Sequence, residues 1–295
     1  MTERMETGGS MLRPRRKEGF PRLLAQLMRR RSAAIGMAVV MVLTLMSILV
    51  PILHGGDPLQ GTEAAAYLGP GLEHPFGTDV LGRDLFLRVF YGGRFSLAIG
   101  FSAVLFSLAF GVPLGAIAGY SGGKIDALLM RLIDLMLSFP SLLLAIVLTT
   151  LFGGASMSGL ILSVGIVGIP QFARQMRGEV LAIREQEYVL AAKALGFQHL
   201  RILFRHVLPN TIAPLTVIAT LRVGTAILDA AGLSFLGLGV EVGVPEWGTM
   251  IKIGRDEMSQ TIWPALFPGL ALTLTVLGFN LFGDGLRDAL DPKSK

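Results

Sequence analysis

The sequence has no cysteine, which excludes disulfides, cysteine metal sites and thiol catalysis. It is poor in charge. Only 16% of its 295 residues are Asp, Glu, Lys or Arg, against about 25% in a soluble domain. The four histidines, His54, His74, His199 and His206, are scattered and lack the HExxH spacing that sets two ligands on one helix face. No nucleotide loop is complete. Residues 118–125 end in Gly123-Lys124-Ile125, but Ala118 stands where the leading glycine belongs and Ile125 where a Ser or Thr would meet magnesium. Gly237-Leu238-Gly239 begins a dinucleotide fingerprint, but Val242 replaces its third glycine. No nucleophile, base and metal ligands cluster as a membrane enzyme would need. Energy for any uphill work must therefore come from outside this chain.

What is abundant is apolar: 52% of residues are hydrophobic and the mean hydropathy is +0.62. Residues 1–32 form a basic segment, and the uncharged run 33–53 follows at once. About 20 such residues cross a ~30 Å hydrocarbon core. The long basic flank and the missing cleavage pattern predict an uncleaved anchor. Residues 54–94 are a polar loop. A second span is expected at 95–123, then a charged connection at 124–134. The uncharged run 135–173 is too long for one span, and Gly153-Gly154-Ala155-Ser156 breaks it into a hairpin. Its two spans are expected at 136–152 and 157–173, with Pro140 and Pro170 inside them. A polar stretch occupies 174–210. A fifth span follows at 211–237, a loop at 238–261 and a sixth span at 262–283. The core of spans two to six thus lies within 95–285, and 286–295 is a tail.

Six spans put both termini on one side. That side carries twenty Lys and Arg and the other five, with Arg222 alone inside a span. The positive-inside rule places both termini and the 174–210 stretch in the cytoplasm. The high pI of about 9.8 then reflects topology and calls for no nucleic acid.

The 174–210 stretch predicts a short helix at 187–196. Tyr188, Ala191, Ala192 and Leu195 recur at i, i+3, i+4 and i+7, and Gly196 stands where a terminating glycine sits. Such a helix cannot span the membrane, so its apolar side needs another surface. Within the fifth span, Arg222 and Asp229 are ionisable residues where charge is costly and marks function. Seven residues apart, they share a face but lie about 10 Å apart along the axis, so direct pairing needs long reach or water. Facing a translocation path, Arg222 would meet a carboxylate and Asp229 an ammonium. Gly111, Gly115 and Gly119 form a small-residue ridge on the second span, suited to close packing inside the chain or against a partner.

Four stretches carry a resemblance. Glu187 to Gly196, with Leu208-Pro209 beyond, resembles the EAA loop of ABC-transporter permeases, except that Leu190 replaces the usual glutamate before the two alanines. Residues 75–97, with Gly77-Thr78-Asp79 and Gly82-Arg83-Asp84, resemble the segment before the second span of second-type dipeptide and oligopeptide permeases. Residues 232–239 with Pro245-Glu246-Trp247-Gly248 resemble the end of their fifth span, and Asn280 to Pro292 their close. The resemblance implies an all-α membrane protein with six transmembrane helices and the type I ABC importer permease fold. It implies import of peptides, with nickel complexes or glutathione as the alternative. An ion-coupled secondary transporter is the reading from another class, and it has no use for the cytoplasmic helix. The implied partners are a second, homologous permease, two cytoplasmic ATPases that bind ATP and magnesium, and an external substrate-binding protein. The implied setting is the lipid bilayer of a bacterial or archaeal inner membrane. This chain itself would hold no cofactor and no metal. Glu187, Tyr188, Ala191, Ala192, Leu195, Gly196 and Pro209 would then couple to the ATPases. Thr78, Asp79, Arg83, Asp84 and Trp247 would cap helices or dock an external partner. Asp79 and Arg83, four apart, are expected to pair on a short helix.

Overall fold

The computed structural model describes residues 27–28, 30–241 and 243–290. Most of the basic segment expected at 1–32, and the tail beyond Leu290, lie outside them. Among the described residues no strand forms beyond isolated β-bridges, and helices make the fold. Those of eight residues or more are α1 (Arg31–His54), α2 (Leu85–Ser121), α3 (Gly123–Ser138), α4 (Ser141–Leu151), α5 (Met157–Arg184), α6 (Glu187–Ala194), α7 (Leu208–Leu233), α8 (Trp247–Asp256) and α9 (Trp263–Leu290), and short helical turns at Leu203–Val207 and Ser234–Leu238 extend α7 at both ends. Five are long and apolar enough to cross a membrane, and six spans result if the bent pair α3–α4 counts as one.

That pair is the main departure from expectation. The charged connection at 124–134 is helical, and the span expected at 136–152 is reduced to α4, set at 94° to α3. Pro140 does not sit inside a helix. It stands at the break, where it cannot donate to the preceding turn and starts α4 instead. Charge runs and apolar runs locate polarity, and α3 is an amphipathic helix that mixes both. Other boundaries move outward. The second span starts at Leu85, ten residues early, because Asp84 caps it by accepting from Leu87 N–H at 2.9 Å. The third apolar run continues as α5 to Arg184, so residues 174–184 are helix rather than loop. The loop expected at 238–261 contains α8, and α9 runs on through Leu290.

Helices α2 and α5 make the most extensive pair in the bundle. The glycine ridge explains it. A Cβ at Gly111 would lie 2.8 Å from the Ile169 carbonyl oxygen, one at Gly119 would lie 2.9 Å from that of Arg177, and Gly115 faces the Ala173 carbonyl. Hydrogen in place of a methyl lets the two backbones touch. Of the two packings the ridge allows, the one inside the chain is formed. Phe172, Ala173, Met176 and Val180 fill the α5 side of this seam and are fully buried.

Arginines tie the helix ends. Pro51 leaves the Ser47 carbonyl of α1 without its helical donor. Arg94 of α2 supplies one from Nε at 2.8 Å and also reaches the Ile48 carbonyl at 2.7 Å. At the opposite end, Arg184 donates to the Gly119 carbonyl at 3.0 Å, Arg177 grips Asp126 with two bonds, and Arg30 pairs with Asp288. The start of α1 and the ends of α2, α5 and α9 thus share one side of the bundle, the near side below.

Candidate functional site

On the near side, α5 ends at Arg184 and the chain turns at once into α6. Gly196, at φ +79°, ends it. Its N–H donates to the Lys193 carbonyl at 3.0 Å, and Phe197 N–H reaches the Ala192 carbonyl at 3.2 Å. The two bonds make a Schellman stop, which a left-handed glycine permits. The helix divides its apolar residues between two surfaces. Val189 is fully buried and Ala192 nearly so, both turned into the chain. Tyr188, Leu190 and Leu195 remain 46%, 45% and 77% exposed, and Glu187 and Ala191 are exposed with them. Ala192, expected on the outward face, is thus part of the inward one. Periodicity gives the angular spacing of apolar residues but not which arc the chain itself covers. Val189 was missed for the same reason. A hydrogen bond holds the helix to the bundle: Asn210 Nδ2 donates to Tyr188 Oη at 3.3 Å and to the His206 carbonyl at 2.7 Å. Pro209 stands two residues after the π-helical turn Leu203–Val207, inside a continuous helical run from Leu200 to Leu238.

A polar track leads from α6 into the bundle. The face of α5 opposite its buried seam carries Gln171, Arg174, Gln175 and Glu179, at helical spacing. Gln175 lines two grooves. One, of about 1080 Å³, runs beside Tyr188, Asn210 and Arg287. The other, of about 530 Å³, reaches Ser141 and the two charges of α7. There Arg222 and Asp229 pair directly, NH2 to Oδ2 at 3.1 Å. The long reach that direct pairing requires is present: the arginine side chain climbs the helix and donates to Thr225 Oγ1 at 3.0 Å on its way. The Asp229 side chain is 44% exposed to the groove and that of Arg222 only 13%. The track was hidden in the sequence because Gln171 falls in the run read as a span and Gln175 in the polar stretch after it, which divides one helix face between two segments.

On the far side, Thr78, Asp79, Arg83 and Asp84 are turned inward. Thr78 is fully buried, accepting from Leu68 N–H and donating to the Ala65 carbonyl. Asp79 accepts from the backbone N–H groups of Leu81 and Arg83 at 2.9 and 3.0 Å and from Arg83 Nε at 2.7 Å. The expected pair exists, but it closes a turn and not a helix, since Gly82 at φ +66° breaks helical geometry. Asp84 also bonds His74 Nδ1 at 2.7 Å. Trp247 is fully buried, donating from Nε1 to the Val89 carbonyl at 2.8 Å, while Glu246 caps α8 through Gly248 N–H and Thr249 N–H. These side chains hold loops and α8 to the bundle. At the C-cap of α8, Glu257 keeps a buried Oε2 with no hydrogen-bond partner. Its pKa is raised by burial and then by the nearby Asp79 charge, with Arg83 pulling the other way. No group of three or more metal-ligating side chains occurs among the described residues.

The family of binding-protein-dependent transport system inner membrane components matches residues 111–295. The dipeptide transport system permease protein DppC of Alkalihalophilus pseudofirmus is 47% identical over 270 residues, 92% of this chain and 88% of that protein. The glutathione transport system permease proteins GsiD of Pectobacterium atrosepticum and Escherichia coli O6:K15:H31 are 45% and 48% identical over 227 residues, 77% of this chain and 75% of theirs. A helical bundle of membrane-length spans, a short helix projecting from its near side, and likeness on this scale lead to one conclusion: the chain belongs to the binding-protein-dependent transport system inner membrane components and is a permease subunit.

Proposed function

We propose that this permease is one of two that enclose the path of an ATP-driven importer of dipeptides or oligopeptides. The observation that carries the reading is α6. A helix of eight residues is too short to be stable alone, so Val189 and Ala192 anchor it while Tyr188, Leu190 and Leu195 stay uncovered. An apolar helix face presented outside the spans suits a groove on a partner protein. The excess of Lys and Arg on the near side supports a cytoplasmic placement, where ATPase subunits would bind ATP and magnesium. A second permease would cover the polar track of α5 and α7, since polar side chains at membrane depth need protein or water around them. The external binding protein would deliver substrate to the far side. Its contact there falls to exposed residues such as Leu72 and Leu81, because Thr78, Asp79 and Trp247 are buried.

The substrate class rests on relatives named for dipeptide and glutathione transport. Both are short peptides, so glutathione is the second reading. The test is reconstitution of the chain with its permease partner, ATPases and binding protein in liposomes. ATP-dependent accumulation of a labelled dipeptide is expected. Ion-driven uptake by the isolated chain would contradict the reading.

A further inference from the structure

The groove beside α7 holds two opposite charges whose pairing joins no two parts of the chain. Arg222 and Asp229 lie on one helix, with their tips 3.1 Å apart. The further partner of Arg222, Thr225, is on the same helix. An ion pair between helices can fix their arrangement; this one ties α7 only to itself. Ionisable groups inside a span are costly, and they persist where they face a polar path. These two do, beside Gln171, Gln175 and Ser141. The groove, at about 530 Å³, falls within the range of roughly 300–1,000 Å³ that holds small molecules.

We propose that Arg222 and Asp229 form a substrate-exchanged ion pair that reads the two charged ends of a short peptide. In the empty groove each charge satisfies the other. A peptide with free ends brings one ammonium and one carboxylate. The ammonium takes Asp229, the carboxylate takes Arg222, and the internal pair opens without stranding either charge. The planar guanidinium suits the carboxylate because its fork meets both oxygens. A solute with one charge or none would open the pair and leave a member unpaired, and a charge left unpaired as the solute displaces the groove's water costs its desolvation penalty. Zwitterions are therefore favoured inside the path itself, separately from any choice made by the external binding protein. This inference rests on the peptide-import reading.

The test uses the complete transporter in liposomes with labelled alanyl-alanine as the probe. D229N and R222Q are each expected to co-purify with the partner subunits and to lower uptake about tenfold, equivalent to ~1.4 kcal/mol. The exchanged variant R222D/D229R restores a pair within the helix but reverses its direction along the path, and uptake is expected to stay low. Wild-type uptake in either single variant, or recovery in the exchanged one, overturns the proposal, because a pair that only stabilises α7 is indifferent to its direction. If a single variant does not co-purify, R222K decides. It keeps the charge and loses the two-pronged contact, and undiminished uptake overturns the proposal. A wild-type transporter that moves no alanyl-alanine overturns the peptide-import reading on which the proposal stands.

Discussion

Gly196 ends α6 at φ +79°, and nothing lies within 4 Å of where a Cβ would stand. A side chain there meets no obstacle, so its cost is conformational, about 1–2 kcal/mol in the left-handed region. G196V is expected to insert normally but to fray α6 and lower the substrate moved per ATP. G196N, which tolerates this conformation, is expected to stay nearer wild type. Parallel uptake and ATPase assays on proteoliposomes check both. Arg94 is a second case. It serves the Ser47 carbonyl that Pro51 leaves open, so R94M strands a part-buried acceptor at about 1–3 kcal/mol. A lower thermal midpoint in detergent is the expected result. Gly196 could be read from the sequence because a glycine after a periodic run has one common meaning. Arg94 could not, since its partner is 47 residues away and becomes visible only when α1 and α2 lie side by side. Arg222 and Asp229 could be found as residues, but whether they pair was open, because spacing gives the backbone rise and only the structure shows the arginine spanning it.

Among elements, the α2–α5 seam depends on the absence of side chains. G115L would push a branched side chain into the Ala173 carbonyl. Forcing atoms into a packed seam costs about 1–3 kcal/mol or more, and loss of thermal stability with retained membrane insertion is expected. The four-residue glycine period made this seam readable in advance. The α3–α4 bend was not readable in that way. Its two helices divide one nearly continuous stretch of leucine-rich sequence, and only Pro140 hints at the break. Helix α8 gives a pH prediction. Glu257 has its carboxyl pKa raised above the ordinary 4.5 by burial and then by Asp79. A raised folded-state value means stability that is full below pH 4.5 and is lost as pH rises through the shifted value. E257Q mimics the protonated acid. Its thermal midpoint is expected to match wild type in acid and to exceed it near neutrality.

At the scale of the whole molecule, two features meet at Gln175: the track to Arg222 and Asp229, and the groove bordered by Tyr188 of α6. The proposed site of ATPase contact and the proposed path are therefore adjacent on one subunit, linked through α5 and the Asn210 bond to Tyr188. Five of the six expected spans, the polar stretch and the short helix were legible in the sequence, because hydropathy and charge are properties of composition along the chain. Which face of α6 is free was not, since burial of Val189 and Ala192 depends on neighbours distant in sequence. The central claim is that the free face meets an ATPase. The chain has no cysteine, so L195C introduces a single thiol on that face, where Leu195 is 77% exposed. The deciding measurement is crosslinking from this thiol in the assembled transporter, through an attached photoreactive group. A crosslink to the ATPase subunit whose yield changes with ATP is predicted. An intact transporter in which that thiol crosslinks only to lipid or to the partner permease would contradict the account.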